Sequence, residues 1–200
     1  MTDSPSPIDS ARTALLVMDY QAGILARLPE AESLLARAAA AIDIVRRSGG
    51  LLGYVRVAFE DADYAAIPAA NKMAGNVAAA GSAFHSDSPT SAVHEQLAPQ
   101  SGDIVVRKIR VGAFSTTDLD EQLRERGIDT LILAGLSTSG VVLSTVRDGA
   151  DRDYRILVLA DACADPQPNV HEFLLEYVFP RQADVITIAE LPGLLGAPAS

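Results

Sequence analysis

The chain has 200 residues, of which 48% are hydrophobic and 21% charged, and its formal net charge is −10. This length fits one domain with a substantial core. The acidic balance argues against nucleic acid as a partner and provides no basic patch for a membrane surface. Because no apolar run reaches the length of a membrane span and the first residues lack a signal-peptide pattern, we expect a cytoplasmic protein.

Apolar runs alternate with amphipathic segments along the chain. We expect a flexible N-terminal tail at residues 1–10, a single domain at residues 11–190 and a Pro/Gly-containing C-terminal tail at residues 191–200. The apolar runs predict six strands, at Thr13–Asp19, Leu51–Val57, Asp103–Lys108, Thr130–Ala134, Arg155–Ala160 and Asp184–Ile188. The segments between them predict helices at Glu30–Arg47, Ser91–Leu97, Thr117–Arg126, Val141–Asp151 and Asn169–Tyr177.

Strands of near-continuous Val, Ile and Leu that alternate with helices are typical of a parallel sheet covered on both faces. We therefore predict an α/β three-layer sandwich with a central six-stranded parallel sheet. The segment from residue 58 to 91 has no clear periodicity, and a structureless loop of that length is unusual. We expect it to form a lid or a subunit interface. Its apolar stretches, such as Ala65-Ala66-Ile67, favour a homo-oligomer, either a dimer or a tetramer.

The carboxyl ends of parallel strands line the ligand crevice of such a sheet. Asp19, Lys108 and the turn before Val141 each follow a predicted strand, so they should meet there. A partly desolvated carboxylate suits acid/base work, although an Asp at a strand end can also be a turn or cap residue. Lys108 can hold Asp19 and stabilise negative charge on a substrate. An ordinary surface lysine is the alternative, and Arg110 is its nearest competitor.

Three motifs occur in order at these strand ends. They are Asp19-Tyr20-Gln21, then Lys108 with the loop Gly112-Ala113-Phe114-Ser115, then Gly135, Thr138, Val142 and Thr145 in the spacing Gly-x-x-Thr-x-x-Cys-Val-x-x-Thr. Together they resemble the isochorismatase-like hydrolase superfamily, which includes nicotinamidases, N-carbamoylsarcosine amidases and isochorismatases. The resemblance spans about Thr13 to Thr187 and implies a Rossmann-like fold. It places Val141 at the position of the family's cysteine nucleophile. It also implies a cis peptide bond at Leu136–Ser137 or Ser137–Thr138.

Val141 has no lone pair with which to attack a substrate. The resemblance still allows chemistry without a covalent cysteine, because isochorismatases of this superfamily protonate a vinyl ether with their Asp and let water attack. Those enzymes carry Gly at the cysteine position, whereas Val141 is bulkier and narrows the pocket. We predict a hydrolase of a small molecule that uses Asp19 as general acid/base and Lys108 as its electrostatic partner. The alternatives are an inactive small-molecule-binding or regulatory homologue, and an amidase with a non-standard nucleophile such as Cys163.

Further residues are candidates for substrate binding. Gln21 could orient Asp19 or a ligand; the alternative is a solvated loop residue. Phe59, Phe84 and Phe114 could form apolar walls of a ligand site; the alternative for each is packing in the core. Backbone N–H groups in the turn around Ser137, Thr138 and Gly140 could bind an oxyanion or simply begin a helix.

No metal and no cofactor are expected. The nicotinamidases of this superfamily use histidines after the second strand, where this chain has none. His85, His94 and His171 are scattered in the sequence and are expected at the surface. Cys163 is expected to be a buried packing residue.

Overall fold

The computed structural model describes residues 5–196. Its strands are β1 Thr13–Met18, β2 Leu51–Val57, β3 Ile104–Lys108, β4 Thr130–Leu136, β5 Arg155–Ala164 and β6 Asp184–Ile186. They form one sheet in the order β3-β2-β1-β4-β5-β6, and every neighbouring pair is parallel. The predicted fold class is therefore confirmed. The order reverses between β1 and β4, which is where ligands bind in open sheets of this kind.

The helices are α1 Ala22–Leu25, α2 Ala31–Arg47, α3 Asp61–Ala65, α4 Lys72–Ala80, α5 Leu119–Glu125, α6 Leu143–Ala150, α7 Pro168–Phe173 and α8 Leu191–Leu194. Among the described residues, π-helical turns lie at Thr138–Val142 and Leu174–Val178. Short 3₁₀ turns lie at Ser10–Arg12, Gly81–Phe84, Pro89–Ser91, Glu95–Leu97, Phe179–Arg181 and Ile188–Glu190.

Apolar side chains on both faces of the sheet explain why the strands read as continuous hydrophobic runs. Leu15 and Val17 pack into one cluster with α2 and α8. Leu16 and Met18 alternate to the other face and pack with α5 and α6. All six residues of β1 are buried, as expected for a central parallel strand.

Some predicted boundaries were wrong. The fifth strand continues to Ala164. The predicted helix Ser91–Leu97 does not form; two 3₁₀ turns, Pro89–Ser91 and Glu95–Leu97, lie there instead. The chain after residue 190 is not simply a tail, because α8 buries Leu191 and Leu194 against α2 and the sheet. The Pro and Gly residues next to these leucines favoured the interpretation of this segment as a tail rather than a helix. At the other end Ile8 is buried, and its N–H donates to the Leu194 carbonyl at 2.9 Å. The remaining residues of the two expected tails, 1–4 and 197–200, lie outside the described residues.

The segment from residue 58 to 91 is structured, since it contains α3 and α4 and two of the 3₁₀ turns. Arg107 ties its start to the sheet through an ion pair with Asp63 at 2.6 Å. Arg56 holds its end by donating to the Ser91 carbonyl at 3.2 Å. No helix within residues 5–196 combines the length and apolar character that a membrane span requires.

Candidate active site

Asp19 directly follows β1 and ends it in a tight turn. Its φ of 60° lies in the left-handed region, which Asp tolerates better than most residues. Its N–H donates to the Val55 carbonyl at 2.8 Å, and its own carbonyl accepts the N–H of Gln21 at 2.8 Å. The carboxylate is thereby fixed at the carboxyl edge of the sheet, beside the end of β2.

Lys108 lies at the end of β3 and reaches Asp19 across the end of β2. Its Nζ is 2.9 Å from Asp19 Oδ2, and the side chains are 3% and 7% exposed. The ammonium also donates to the Arg110 carbonyl at 3.2 Å. Asp19 Oδ1 is buried and has no hydrogen-bond partner among residues 5–196. One carboxylate oxygen is therefore bound by the lysine and the other is uncommitted.

Burial raises the pKa of Asp19 above its ordinary value. Lys108 opposes this rise by favouring the carboxylate through its charge and its hydrogen bond, and the Val57 amide acts in the same direction. Desolvation is the larger effect because the carboxyl group is removed from water. A raised pKa favours the protonated form of Asp19 relative to an exposed carboxyl group.

Gln21 is completely buried and binds backbone groups on two segments. Its Nε2 donates to the carbonyls of Val57 at 2.8 Å and Ser91 at 2.7 Å. Its Oε1 accepts the Val57 N–H at 2.8 Å. Gln21 thus holds the end of β2 and the end of the 58–91 segment next to Asp19. Direct contact with a substrate stays a prediction.

The turn after β4 begins with a cis peptide bond between Leu136 and Ser137, at one of the two expected positions. The Ser137 carbonyl accepts the N–H of Gly140 at 3.2 Å. The N–H of Ser139 donates to Asp165 Oδ2 at 2.7 Å. Two N–H groups of the expected oxyanion site therefore have acceptors within the protein. An oxyanion role for this turn stays a prediction.

Val141 lies in the π-helical turn that leads into α6. It is 2% exposed and packs in the apolar cluster on the α5 and α6 face of the sheet. The position expected for a nucleophile is therefore occupied by a buried hydrocarbon side chain.

Two cavities open near the carboxyl edge of the sheet. The first, of about 520 Å³, lies between α4 and the end of β2. It brings together Phe59 and Phe84, as expected for apolar walls. The second, of about 360 Å³, lies over the end of β5 and includes Cys163 and His171. Phe114 lies elsewhere, stacked on Tyr154 with ring centroids 5.9 Å apart.

His171 was predicted to be a surface residue, but it is half-buried and contacts the turn after β4. Its Nδ1 is 2.8 Å from the hydroxyl oxygen of Thr138, which is completely buried. Burial lowers the pKa of His171, so its neutral form dominates near neutral pH. The one sequence signal for the contact between His171 and Thr138 was that His171 follows the fifth strand, whose end lies beside the turn after β4.

Cys163 is buried at the end of β5, and burial raises the pKa of its thiol to about 12. The thiolate required of a nucleophile is therefore rare at neutral pH. Within residues 5–196, no group of three or more His, Cys, Asp or Glu side chains is arranged to hold a metal ion.

The doubly wound sheet and the Asp–Lys pair at its carboxyl edge define a three-layer α/β protein with a buried ion pair at the edge where such sheets bind ligands. This chain belongs to the isochorismatase family, since the Isochorismatase domain model matches residues 13–190. The resemblance stated from the motifs is confirmed.

Relatives of similar length support this membership. The chain is 33% identical over 174 residues to the uncharacterized isochorismatase family protein YwoC of Bacillus subtilis, covering 87% of this chain and 89% of that one. A cysteine hydrolase from Pseudomonas syringae superposes with a TM-score of 0.86 at 25% identity, covering 99% and 100% of the two chains. An N-carbamoylsarcosine amidase from Thermoplasma acidophilum superposes with a TM-score of 0.73 at 30% identity, covering 88% and 96%.

Proposed function

We propose that this protein hydrolyses a small molecule with Asp19 as general acid/base and Lys108 as its electrostatic partner, and without a covalent cysteine. The observation that carries this proposal is the uncommitted Oδ1 of Asp19. A buried polar atom without a partner is rare in folded proteins and costly. Asp19 also has a raised pKa. Both properties suit a group that exchanges a proton with a bound substrate.

The proposed reaction begins with a proton transfer from Asp19 to the leaving atom of the substrate. The bond to that atom breaks, and water adds to the electron-poor carbon. The proton released by the water returns to the Asp19 carboxylate, so Asp19 ends the cycle as it began. Lys108 stabilises the carboxylate while the proton is on the substrate.

Water is the nucleophile in this proposal because Val141 offers no attacking atom. Cys163 is not proposed in its place, since its thiol is buried and its pKa is about 12. Val141→Cys should leave the protein inert towards simple amides, because a nucleophile needs a complete supporting shell. Amide hydrolysis by this variant would instead show that the amidase machinery is otherwise present.

The test begins with a screen for turnover of small vinyl ethers, esters and amides. With a substrate in hand, Asp19→Asn should lower kcat by on the order of 10²–10⁴-fold, because the amide cannot deliver a proton. Asp43→Asn, which changes an exposed carboxylate on α2, is the matched control and should leave kcat unchanged. A rate unaffected by Asp19→Asn would end the proposal.

A binding protein without turnover is the second candidate, and the buried Val141 side chain favours it. Saturable binding of a small molecule, together with no hydrolysis across the screen, would support this function over catalysis.

A homo-oligomer is proposed as well. The edge strand β3 exposes Val105, and Phe173 and Tyr177 form an exposed aromatic pair with centroids 5.3 Å apart. Exposed apolar patches often mark interfaces. Light scattering at micromolar concentration should give at least the dimer mass, and a monomer mass would reject this proposal.

A further inference from the structure

The cavity between α4 and the end of β2 has the character of a small-molecule site. Its volume of about 520 Å³ falls within the roughly 300–1,000 Å³ that ligand pockets occupy. Its walls are mostly apolar and are formed by Val57, Phe59, Met73, Val77, Ala79, Ala80 and Phe84. The backbone fixes the two phenylalanines relative to each other, since the Phe59 N–H donates to the Phe84 carbonyl at 2.8 Å.

This cavity adjoins the Asp19–Lys108 pair through Val57. Val57 lines the cavity and pairs in register with Lys108 in the sheet. Its backbone N–H and carbonyl are both bound by Gln21, two residues after Asp19, at 2.8 Å. A molecule held in the cavity therefore lies next to the end of β2, the strand between β1, which Asp19 follows, and β3, which ends at Lys108.

The charge among the residues that line this cavity is positive. Arg27, an exposed residue between α1 and α2, is the charged side chain among the lining residues described, and Asn76 adds an uncharged polar group. The cavity over β5 is different, since Glu30, Asp161 and Asp165 line it together with Arg37. The charges of the lining residues therefore favour an anion in the cavity at α4 over the cavity at β5.

We propose that the cavity at α4 is the substrate pocket and that it selects compact, largely apolar molecules with a single anionic group. The apolar body would pack between Phe59, Val77 and Phe84, and the anion would meet Arg27 at the rim. A single guanidinium suits one carboxylate, which it can bind with two parallel hydrogen bonds. A second anionic group would be left without a counter-charge. This inference rests on the proposed function, because that function places the reacting atom at Asp19.

Binding of benzoate, followed by calorimetry and by amide chemical shifts, tests the proposal without a known substrate. Wild-type protein should bind benzoate at millimolar concentration or better and shift the amides of Val57, Phe59 and Val77. Phthalate, a dianion of similar body, should bind at least several-fold more weakly. Absence of benzoate binding, or shifts confined to the cavity over β5, would overturn the proposal.

Two pairs of variants localise the effect. Arg27→Gln should weaken benzoate binding on the order of tenfold, as for the loss of a charge-assisted hydrogen bond, whereas Arg47→Gln, at an exposed site on α2, should not. Ala79→Trp should fill the cavity and abolish binding, whereas Ala78→Trp, one residue away and also exposed, should not. Equal effects within either pair would overturn the proposal.

Asp19→Asn separates this inference from the proposed function. The variant should still bind benzoate while losing turnover. Turnover retained alongside normal benzoate binding would reject the acid role and keep the pocket. The opposite result is also possible: Asp19→Asn abolishes turnover, but Arg27→Gln and Ala79→Trp leave benzoate binding unchanged. This result would keep the acid role and reject the pocket.

Discussion

Carboxylates pair with cations in two contrasting settings in this molecule. Asp19 and Lys108 meet at 2.9 Å with side chains that are 7% and 3% exposed. Asp120 lies at the start of α5 and pairs with Arg152 at 3.1 Å, with both side chains 35% exposed. The chemistry of the two pairs is similar, but the first pair is buried and the second is partly exposed.

The two settings also differ in how many oxygens have partners. Asp120 Oδ1 accepts the Tyr154 hydroxyl at 2.8 Å, while its Oδ2 accepts from Arg152. Asp19 keeps one buried oxygen without a partner among the described residues. Exposed pairs contribute little to stability, and buried pairs are costly to break. Partners for both oxygens of Asp120 suit a structural role, whereas the unpartnered oxygen of Asp19 is the basis of the proposed acid role.

Breaking the buried pair should give the largest effect. Lys108→Met leaves the Asp19 carboxylate buried without its counter-charge, which should cost about 3–5 kcal/mol of unfolding free energy at neutral pH. The double variant Asp19→Asn/Lys108→Met removes both charges and should be more stable than Lys108→Met alone. Denaturant unfolding measures both, and a double variant that is less stable than the single would contradict this.

The loss of unfolding free energy in Lys108→Met should depend on pH. Without the lysine, burial raises the pKa of Asp19 further above its unfolded value of about 3.9. A group whose folded pKa is raised stabilises the fold fully below its unfolded pKa, and that stability is lost as pH rises through the folded pKa. Lys108→Met should therefore lose stability relative to wild type from about pH 4 towards pH 7. A constant difference across this range would show that Asp19 does not titrate as proposed.

Cys163 offers a smaller test at the same edge of the sheet. Cys163→Ala removes one buried sulfur atom and should cost on the order of 1 kcal/mol. Turnover should stay within a few-fold of wild type, and iodoacetamide should leave the native protein unlabelled, since the thiol pKa is about 12. Inactivation by either change would show that the thiol takes part in catalysis.

The exposed pair should give the smallest effect. Asp120→Asn should change the unfolding free energy by no more than about 1 kcal/mol, and the difference should shrink in salt. A loss of unfolding free energy as large as that of Lys108→Met would show that the two ion pairs do not differ in the way described.

The sequence was sufficient to predict the sheet and the Asp19–Lys108 contact. Both residues directly follow apolar runs, and the carboxyl ends of parallel strands share one edge. The contact of His171 with Thr138 depends on the rotation of α7 about its axis, which strand positions do not determine. The helix α4 was missed because its Ala- and Gly-containing stretch lacks a clear apolar stripe. Phe114 was a candidate for a pocket wall or for the core, and the structure places it in the core, stacked on Tyr154; the sequence could not decide because this packing depends on how α5 and α6 lie on the sheet.

The most direct test of the account is the protonation of Asp19 itself. The carboxyl ¹³C resonance of Asp19 can be followed by NMR while the pH is lowered, with no substrate required. We expect a midpoint above the ordinary pKa of 3.8 and a further rise of the midpoint in Lys108→Met. A midpoint at or below 3.8 in the wild-type protein would show that Lys108 outweighs burial, and Asp19 would then be a permanent carboxylate rather than the acid proposed here.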